Sequence, residues 1–280
     1  MDTTHAVPPT GAVVALKPSE YAKSRLEVPV PLRQRLAESM ALDTLRALTT
    51  VVSRVVVVSG QPALASRLGR AGVSATVLAD PDQPGMNAAL AYGANRLRVD
   101  GFATVLACVG DLPALRATSV SRVLEVSRSF PRAFLADASG VGTTMLVAQD
   151  VGLLPAFSGR SAARHREGGA VPLTEELLGE TLADARRDVD TAVDLVTAIG
   201  LGVGPHTAAL VDPAHGRLGR YEVVTATDWT DHNGQRVAVT AAGRRVALPR
   251  GVVGAADRPL RSGQRLHAVT AAGRVLSAWW

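Results

Sequence analysis

Four polar segments of this sequence carry side chains that could do chemistry, and each falls where a predicted strand ends. Residues 17–25 supply cations, residues 110–113 and 188–190 supply carboxylates, and residues 80–87 form a turn-rich loop. In an open α/β sheet, ligands bind beyond the carboxyl ends of the strands. We therefore expect the four segments to meet at one edge of a sheet.

The carboxylates predict a cation site. Asp111 follows the apolar run FATVLACV, and a carboxylate there is costly unless it is paired, hydrogen-bonded or bound to a metal. Asp188 and Asp190 are two residues apart, so in an extended segment both would point to one side. Three carboxylates without a Cys/His cluster favour Mg²⁺ or Mn²⁺ over zinc. The alternative is a turn role for Asp111 and a helix-capping role for Asp190.

The two lysines predict a phosphate site. Of 30 basic side chains, only Lys17 and Lys23 are lysines. A GC-rich genome explains the shortage of lysine, but it does not explain why both fall in one loop. Lysine is a compact point charge that suits a phosphate at a fixed position.

Other motifs exclude two kinds of nucleotide site. The chain has neither a GxxxxGK[ST] loop nor a GxGxxG turn after a strand, which excludes a P-loop enzyme and a common dinucleotide fold. Gly140 and Gly142 precede Thr143, where backbone N–H groups and a hydroxyl could receive an anion or form an ordinary turn. His165 lies one helical turn after Ser161, and we interpret it as structural.

An alternation of strands and helices must position these residues. It predicts βαβ units and a three-layer α/β domain. The predicted strands are 11–17, 51–59, 75–79, 103–109, 132–136 and 143–148, and the predicted helices are 31–48, 61–71, 87–97, 118–129, 159–166 and 191–199.

The composition changes near residue 213. Residues 217–280 carry ten Arg against four acidic residues, and VTAAGRRV at 239–246 nearly repeats as VTAAGRVL at 269–276. Alternating apolar residues and these turn-like repeats predict a small barrel of about five strands, similar to cold-shock-type OB barrels. Because aromatic residues are few here, we favour a docking or dimer-stabilising module over RNA binding. We expect a flexible N-terminus at 1–10, one domain at 11–212 and the barrel at 213–280.

Composition also indicates a compartment. Hydrophobic residues make up 47% and charged residues 20%, which is typical of a globular protein. We find neither an apolar run of about 18 residues nor a secretory start, so no membrane association is expected. The single cysteine, Cys108, sits within a predicted strand; it fits core packing and a reducing cytoplasm.

An ordered set of motifs resembles a known family. The set is Leu16-Lys17-Pro18, Ala22-Lys23-Ser24-Arg25-Leu26, Gly85-Met86-Asn87, Gly110-Asp111-Leu112-Pro113, Gly142-Thr143-Thr144, Phe157 with Ser161-Ala162-Ala163-Arg164-His165, and Asp188-Val189-Asp190-Thr191. In this order the motifs resemble the 2-phospho-L-lactate/phosphoenolpyruvate guanylyltransferases of coenzyme F-420 biosynthesis. The resemblance covers about residues 11–200.

The resemblance implies a Rossmann-like GT-A fold that uses GTP and a divalent metal and releases pyrophosphate. Its implied metal ligands are Asp111, Asp188 and Asp190, its acid-binding residues are Thr143, Ser158 and Ser161, and its nucleotide-binding residues are Leu16, Lys17, Lys23, Gly85, Asn87 and Pro113. Lys17, Lys23 and Arg25 would stabilise charge on the leaving pyrophosphate. The chain departs from the family in three features: Ser158 stands where the family usually has Gly, the segment between His165 and Asp188 looks longer than usual, and the barrel is not part of the family core.

Several alternatives stay open at this point. The acid is phosphoenolpyruvate or 2-phospho-L-lactate, and the arginine-rich usage of a high-GC bacterium leans to phosphoenolpyruvate. A related nucleotidyltransferase of the molybdenum-cofactor type is an alternative enzyme. A nucleic-acid-binding or regulatory protein acting through the barrel is a non-enzymatic alternative. Expected partners are GTP and the acid, with a homodimer or docking to the next enzyme of the pathway.

Overall fold

The computed structural model has a seven-stranded sheet with helices on both faces, followed by a closed barrel. It describes residues 9–17, 23, 26, 30–81, 85–211, 220–250, 252–253 and 260–279. Most of the predicted N-terminal segment, the predicted domain boundary at 212/213 and Arg25 lie outside these residues.

The elements of the first unit follow the predicted alternation up to β6. Strands β1 to β7 are Thr10–Ala15, Arg54–Val58, Thr76–Leu78, Thr104–Cys108, Arg132–Ala136, Thr143–Gln149 and Val171–Pro172. Helices α1 to α9 are Val30–Thr49, Leu64–Arg70, Met86–Val99, Ala117–Ser127, Ser161–Glu167, Glu175–Leu178, Ala183–Arg186, Ala192–Leu201 and Pro205–Val211. Sequence periodicity missed β7, α6, α7 and α9, because segments of two to seven residues are too short to show a period.

The strand order β3-β2-β1-β4-β6-β5-β7 places β1 and β4 at the centre of the sheet. The strands β1, β2, β3 and β4 are parallel, whereas β6 runs antiparallel to both β4 and β5, with Cys108 opposite Met145. Because β6 is reversed, its first residue, Thr143, lies at the same edge as the carboxyl end of β4. This reversal was not predicted from the sequence.

Side chains of the central strands alternate between two cores, as a sheet covered on both faces requires. Ala12 and Val14 of β1 pack with residues of α1 and α4, whereas Val13 packs with residues of α3. Cys108 is buried in the first core, which confirms its predicted packing role. The predicted three-layer α/β architecture is confirmed.

The barrel strands are β8 (Arg220–Thr230), β9 (Arg236–Thr240), β10 (Arg245–Leu248), β11 (Arg265–Ala271) and β12 (Arg274–Trp279). They close in the order β10-β12-β11-β8-β9; β10 and β12 pair in parallel, and the other pairs among these five strands are antiparallel. This is the connectivity of an OB-type barrel, so the predicted class is confirmed. The two repeats form the β9–β10 and β11–β12 turns, as predicted.

Among the described helices, none is by itself long and apolar enough to cross a membrane. Only α8 and α9 taken together pass by length and composition, and they are bent by 117° relative to each other.

Gly93 lets α3 pack closely on the sheet, which gives a stability prediction. A Cβ at this position would lie 2.4 Å from Val13 Cγ2 and 3.0 Å from Val58 Cγ2. Valine is stiff and both neighbours are buried, so the backbone must move to admit a methyl group. We expect Gly93→Ala to lower the free energy of unfolding by about 1–3 kcal/mol, measured by urea denaturation.

Gly69→Ala is the matched control. Gly69 lies in helix α2 with open space around the position of its Cβ. Alanine there should raise the free energy of unfolding by about 0.5–1 kcal/mol, since glycine is a poor helix former. Equal effects of the two substitutions would contradict the packing of α3 described here.

Candidate active site

A cavity of about 560 Å³ opens at the carboxyl edge of the central strands. The structure brings together nine of the residues that the sequence analysis assigned to a site. The nine predicted residues that line the cavity are Leu16, Lys17, Lys23, Asp111, Thr143, Ser158, Ser161, Asp188 and Asp190. Three of the four predicted polar segments therefore converge, whereas Met86 is the only described residue of the fourth, 80–87, that lines this cavity.

The loop after β4 holds Asp111 in place. A Cβ at Gly110 would lie 2.4 Å from Leu16 Cδ2, so the ends of β4 and β1 can approach because residue 110 has no side chain. On the other side of Asp111, the backbone N–H of Leu112 donates to Oγ1 of the buried Thr44 in α1 at 3.0 Å. The backbone that carries Asp111 is thus restrained on both sides of it.

The segment with Asp188 and Asp190 is fastened to the same loop. The N–H of Val189 donates to the carbonyl of Asp111 at 3.1 Å, and the Val189 side chain is fully buried. The carboxylates on either side of Val189 both line the cavity, as predicted for an extended segment. A capping box at Thr191 then begins α8, which confirms the predicted helix start.

Lys23 binds two of the carboxylates. Its Nζ donates to Asp111 Oδ2 and, at 2.9 Å, to Asp190 Oδ1. Burial lowers the pKa of Lys23, but the two carboxylates outweigh it and leave the pKa above its ordinary value. The ammonium group therefore stays charged and neutralises part of the acidic cluster.

The negative charge still exceeds the positive charge around Asp188. The pKa of the Asp188 carboxyl is raised to about 7, chiefly by burial. The carboxylates of Asp111, Asp190 and Asp137 contribute to this rise, and Lys23 opposes it. Several carboxylates that share one site favour any cation that enters it.

The donor set fits a divalent cation in its chemistry. Asp111 Oδ1 is buried and has no hydrogen-bond partner in the part of the chain that the structure describes, which leaves a carboxylate oxygen free to act as a ligand. Within the described residues, however, no three His, Cys, Asp or Glu side chains are already arranged around one ion position. Lys23 bridges Asp111 and Asp190 in this arrangement, so an ion bound by both would have to displace its ammonium group.

Hydroxyl groups line the cavity beyond the carboxylates. Thr143 begins β6 and Ser161 begins α5, and both are buried. Ser158 is exposed and has a φ of 143°, a conformation that glycine adopts without strain. The backbone of Ser158 therefore has a conformation that favours glycine, the residue that the resembling family usually has at this position.

His165 lies directly behind Thr143. Its Nδ1 is 2.9 Å from Thr143 Oγ1, and its Nε2 accepts the backbone N–H of Ala156 at 2.9 Å. Burial, with a smaller contribution from the positive charge of Arg164, lowers the pKa of His165 to about 4. The imidazole is therefore neutral at physiological pH.

Three predicted nucleotide-binding residues do not line this cavity, although the structure describes all of them. Asn87 uses its side-chain amide on the backbone of Phe157, accepting its N–H at 2.7 Å and donating to its carbonyl at 2.9 Å. Gly85 precedes α3 with a φ of 123°, and the Pro113 carbonyl accepts the Gly204 N–H at 2.7 Å. Asn87 thus holds the segment before Ser158.

Sequence reasoning missed Asp137, which follows β5 and lines the cavity. The same signal that identified Asp111, a carboxylate directly after an apolar strand, would have found it. Its Oδ1 accepts the Val141 N–H at 3.0 Å, which shapes the turn before Thr143.

The far end of the cavity was also missed. Arg67 of α2 forms an ion pair with Glu38 of α1 at 3.0 Å and donates to Gln61 Oε1 at 2.6 Å. Gln61 in turn donates to the Lys17 carbonyl at 2.7 Å. Glu38 and Arg67 lie inside helices and belong to no sequence motif, so nothing in the sequence distinguished them from ordinary surface residues.

Comparison with known proteins identifies the family of this chain. Residues 24–171 match the model of the MobA-like NTP transferase domain. The phosphoenolpyruvate guanylyltransferase of Streptomyces scabiei is 46% identical over 209 residues, covering 70% of this chain and 93% of the relative. That of Geodermatophilus obscurus is 40% identical over 220 residues, covering 75% and 97%.

Among solved structures, a nucleotidyl transferase from Methanothermobacter thermautotroptrophicus matches with a TM-score of 0.47 and 20% identity, covering 69% of this chain and 97% of that one. The two guanylyltransferases have a much higher sequence identity to this chain, and the alignments cover nearly the whole length of each of them. The chain therefore belongs to the phosphoenolpyruvate guanylyltransferase family and is a nucleotidyltransferase with a MobA-like NTP transferase domain.

Proposed function

We propose that this protein transfers GMP from GTP to phosphoenolpyruvate and releases pyrophosphate. An oxygen of the acid's phosphate attacks the α-phosphorus of GTP, and the bond from that phosphorus to the β-phosphate oxygen breaks. The attacking phosphate is already ionised, so the reaction needs no general base. This agrees with the buried and neutral state of His165, the histidine that lies behind Thr143.

One observation carries the proposal. A single cavity joins a cluster of carboxylates bridged by Lys23 to a row of hydroxyls that begins at Thr143. The carboxylates suit a cation on the nucleotide phosphates, and the hydroxyls suit the oxygens of a small acid. The names of the relatives supply the particular acid.

Asp111, Asp188 and Asp190 are proposed to hold a divalent cation, Mg²⁺ or Mn²⁺. When bound, the cation would neutralise charge on the α-phosphate and so reduce repulsion between the two anions. The free Asp111 Oδ1 and the excess of carboxylates around Asp188 support this assignment.

The lysines are proposed to bind the triphosphate. Lys17 lines the cavity with an exposed side chain, and Lys23 lines it beside Asp111 and Asp190. Both would stabilise the charge that grows on pyrophosphate as the bond breaks. Arg25, assigned to the same role from the sequence, lies outside the described residues.

The acid is proposed to bind at the hydroxyl end, on Thr143, Ser158 and Ser161. Phosphoenolpyruvate is preferred to 2-phospho-L-lactate, as the relatives' names indicate. The same names favour this reaction over transfer to a molybdenum cofactor. A role in coenzyme F-420 biosynthesis in the cytoplasm follows from the resemblance and stays a proposal.

We further propose that residues 11–212 carry the chemistry and that the barrel serves docking or dimerisation. The exposed Trp229 ring is covered by the Arg245 guanidinium at 4.9 Å, which leaves less of its face for stacking on a base. This contact weakens the case for base stacking at Trp229.

The reaction itself is tested with both acids. Purified protein with GTP and Mg²⁺ should release pyrophosphate when phosphoenolpyruvate is added, with a higher kcat/KM than with 2-phospho-L-lactate. The guanylylated acid should be identified by mass spectrometry. Release with neither acid would refute the proposed function, and a preference for 2-phospho-L-lactate would reverse the assignment of the acid.

The lysine roles predict a kinetic effect. Lys17→Ala or Lys23→Ala should each raise KM for GTP and reduce kcat, since charge grows on pyrophosphate in the transition state. A lost charge-assisted contact of about 1.5–3 kcal/mol corresponds to roughly a 10- to 150-fold loss in kcat/KM. Lysine-to-arginine changes should restore activity only in part.

Arg70→Ala serves as the control, because Arg70 is an exposed cation on α2 that does not line the cavity. Its kinetics should match those of the unaltered protein. If both alanine variants at the lysines also match it, then neither lysine binds the triphosphate.

A further inference from the structure

The buried His165 is a polar group that the proposed chemistry does not use. Only 2% of the residue is exposed, and its ring packs against Phe134 and Phe157 with centroid distances of 5.8 and 5.0 Å. It lies four residues after Ser161 in α5, so the two share one face of that helix. This face brings the imidazole up behind Thr143.

The neighbours of the imidazole decide which nitrogen carries its proton. The backbone N–H of Ala156 can only donate, and it lies 2.9 Å from Nε2. Nε2 must therefore be the unprotonated nitrogen. In a neutral ring the proton is then on Nδ1, which faces Thr143 Oγ1 at 2.9 Å.

This tautomer decides the role of the threonine hydroxyl. Since Nδ1–H donates to Thr143 Oγ1, the hydroxyl uses a lone pair on the histidine and keeps its own hydrogen for another acceptor. Thr143 lines the cavity, so that acceptor can be an oxygen of a bound molecule. A hydroxyl without this neighbour could rotate and serve as donor or acceptor equally well.

We propose that His165 is a positioning residue that fixes the Thr143 hydroxyl as a hydrogen-bond donor to the acid substrate. The inference rests on the proposed function, because it takes the acid to be the molecule at the hydroxyl end. It assigns the site a preference for an anionic oxygen at this position over a group that donates a hydrogen bond. His165 itself does not touch the substrate.

Two amide substitutions separate the two contacts of the ring. His165→Asn can place an amide N–H near the Nδ1 position and keep the donor to Thr143, but it is too short to reach Ala156. His165→Gln can place an oxygen near the Nε2 position and keep the acceptor for Ala156, but it loses the donor to Thr143. We expect the Gln variant to raise KM for the acid by about 5- to 10-fold, as for one lost neutral hydrogen bond. The Asn variant should raise it less, and KM for GTP should stay within about twofold in both.

A double-mutant cycle with Thr143→Val distinguishes positioning from a general structural role. If His165 acts through the Thr143 hydroxyl, then His165→Gln should have little further effect on KM for the acid once that hydroxyl is gone. Additive effects, equal effects on the KM values for GTP and the acid, or no effect of the Gln variant would each overturn the proposal. If the unaltered protein transfers GMP to neither acid, the proposed function fails instead.

A measurement on the unaltered protein covers the case in which the variants do not fold. Nitrogen-15 NMR of histidine-labelled protein should show His165 with a protonated Nδ1 and an unprotonated Nε2 between about pH 6 and 8. A proton on Nε2 would overturn the proposal, because Thr143 would then have to donate to the ring.

Discussion

The main physical constraint on this structure is that several carboxylates lie close together at one edge of a sheet. Asp111, Asp188 and Asp190 line one cavity, and the Lys23 ammonium bridges two of them. Such a cluster opposes folding, because burial and mutual repulsion raise the pKa of Asp188 to about 7. The chain tolerates it through backbone restraints, notably the Thr44 bond to Leu112 and the bond between Val189 and Asp111. An arrangement that costs stability and leaves a carboxylate oxygen without a partner is typical of a site for a cation.

The reversal of β6 gives the cavity its second end. A parallel strand beside β4 would begin at the opposite edge of the sheet, whereas the antiparallel β6 begins with Thr143 next to the carboxylates. Phe157 and Ser158 line this cavity as well, and the backbone before Ser158 is held by Asn87 on Phe157 and by His165 on Ala156. One strand direction therefore places acidic ligands and neutral hydroxyl donors side by side, which suits a reaction between two phosphate groups.

Much of this could be predicted from the sequence, because strand ends and short motifs are local features. The alternation up to β6, the carboxylates at 111, 188 and 190, and the barrel class all followed from local pattern. The direction of β6 did not, since it depends on pairing with strands far away in the chain. The hydrogen bonds of Asn87 to Phe157 and of His165 to Thr143 also depend on distant contacts, so the sequence showed neither of them. The assignment of Asn87 to the nucleotide stays a prediction, and His165 was interpreted only as structural. Asp137 is different, because the strand-end signal was present and was not applied to it.

The central claim is that the three aspartates form a cation site. The most direct test measures the binding of Mn²⁺ by electron paramagnetic resonance. With a non-hydrolysable GTP analogue present, the unaltered protein should bind one Mn²⁺ at this site. Asp111→Asn and Asp190→Asn should each weaken that affinity by roughly tenfold or more while the protein stays folded by circular dichroism. Glu176→Gln, an exposed acidic residue on α6, should leave it unchanged. Equal Mn²⁺ affinity in all four proteins would contradict the account.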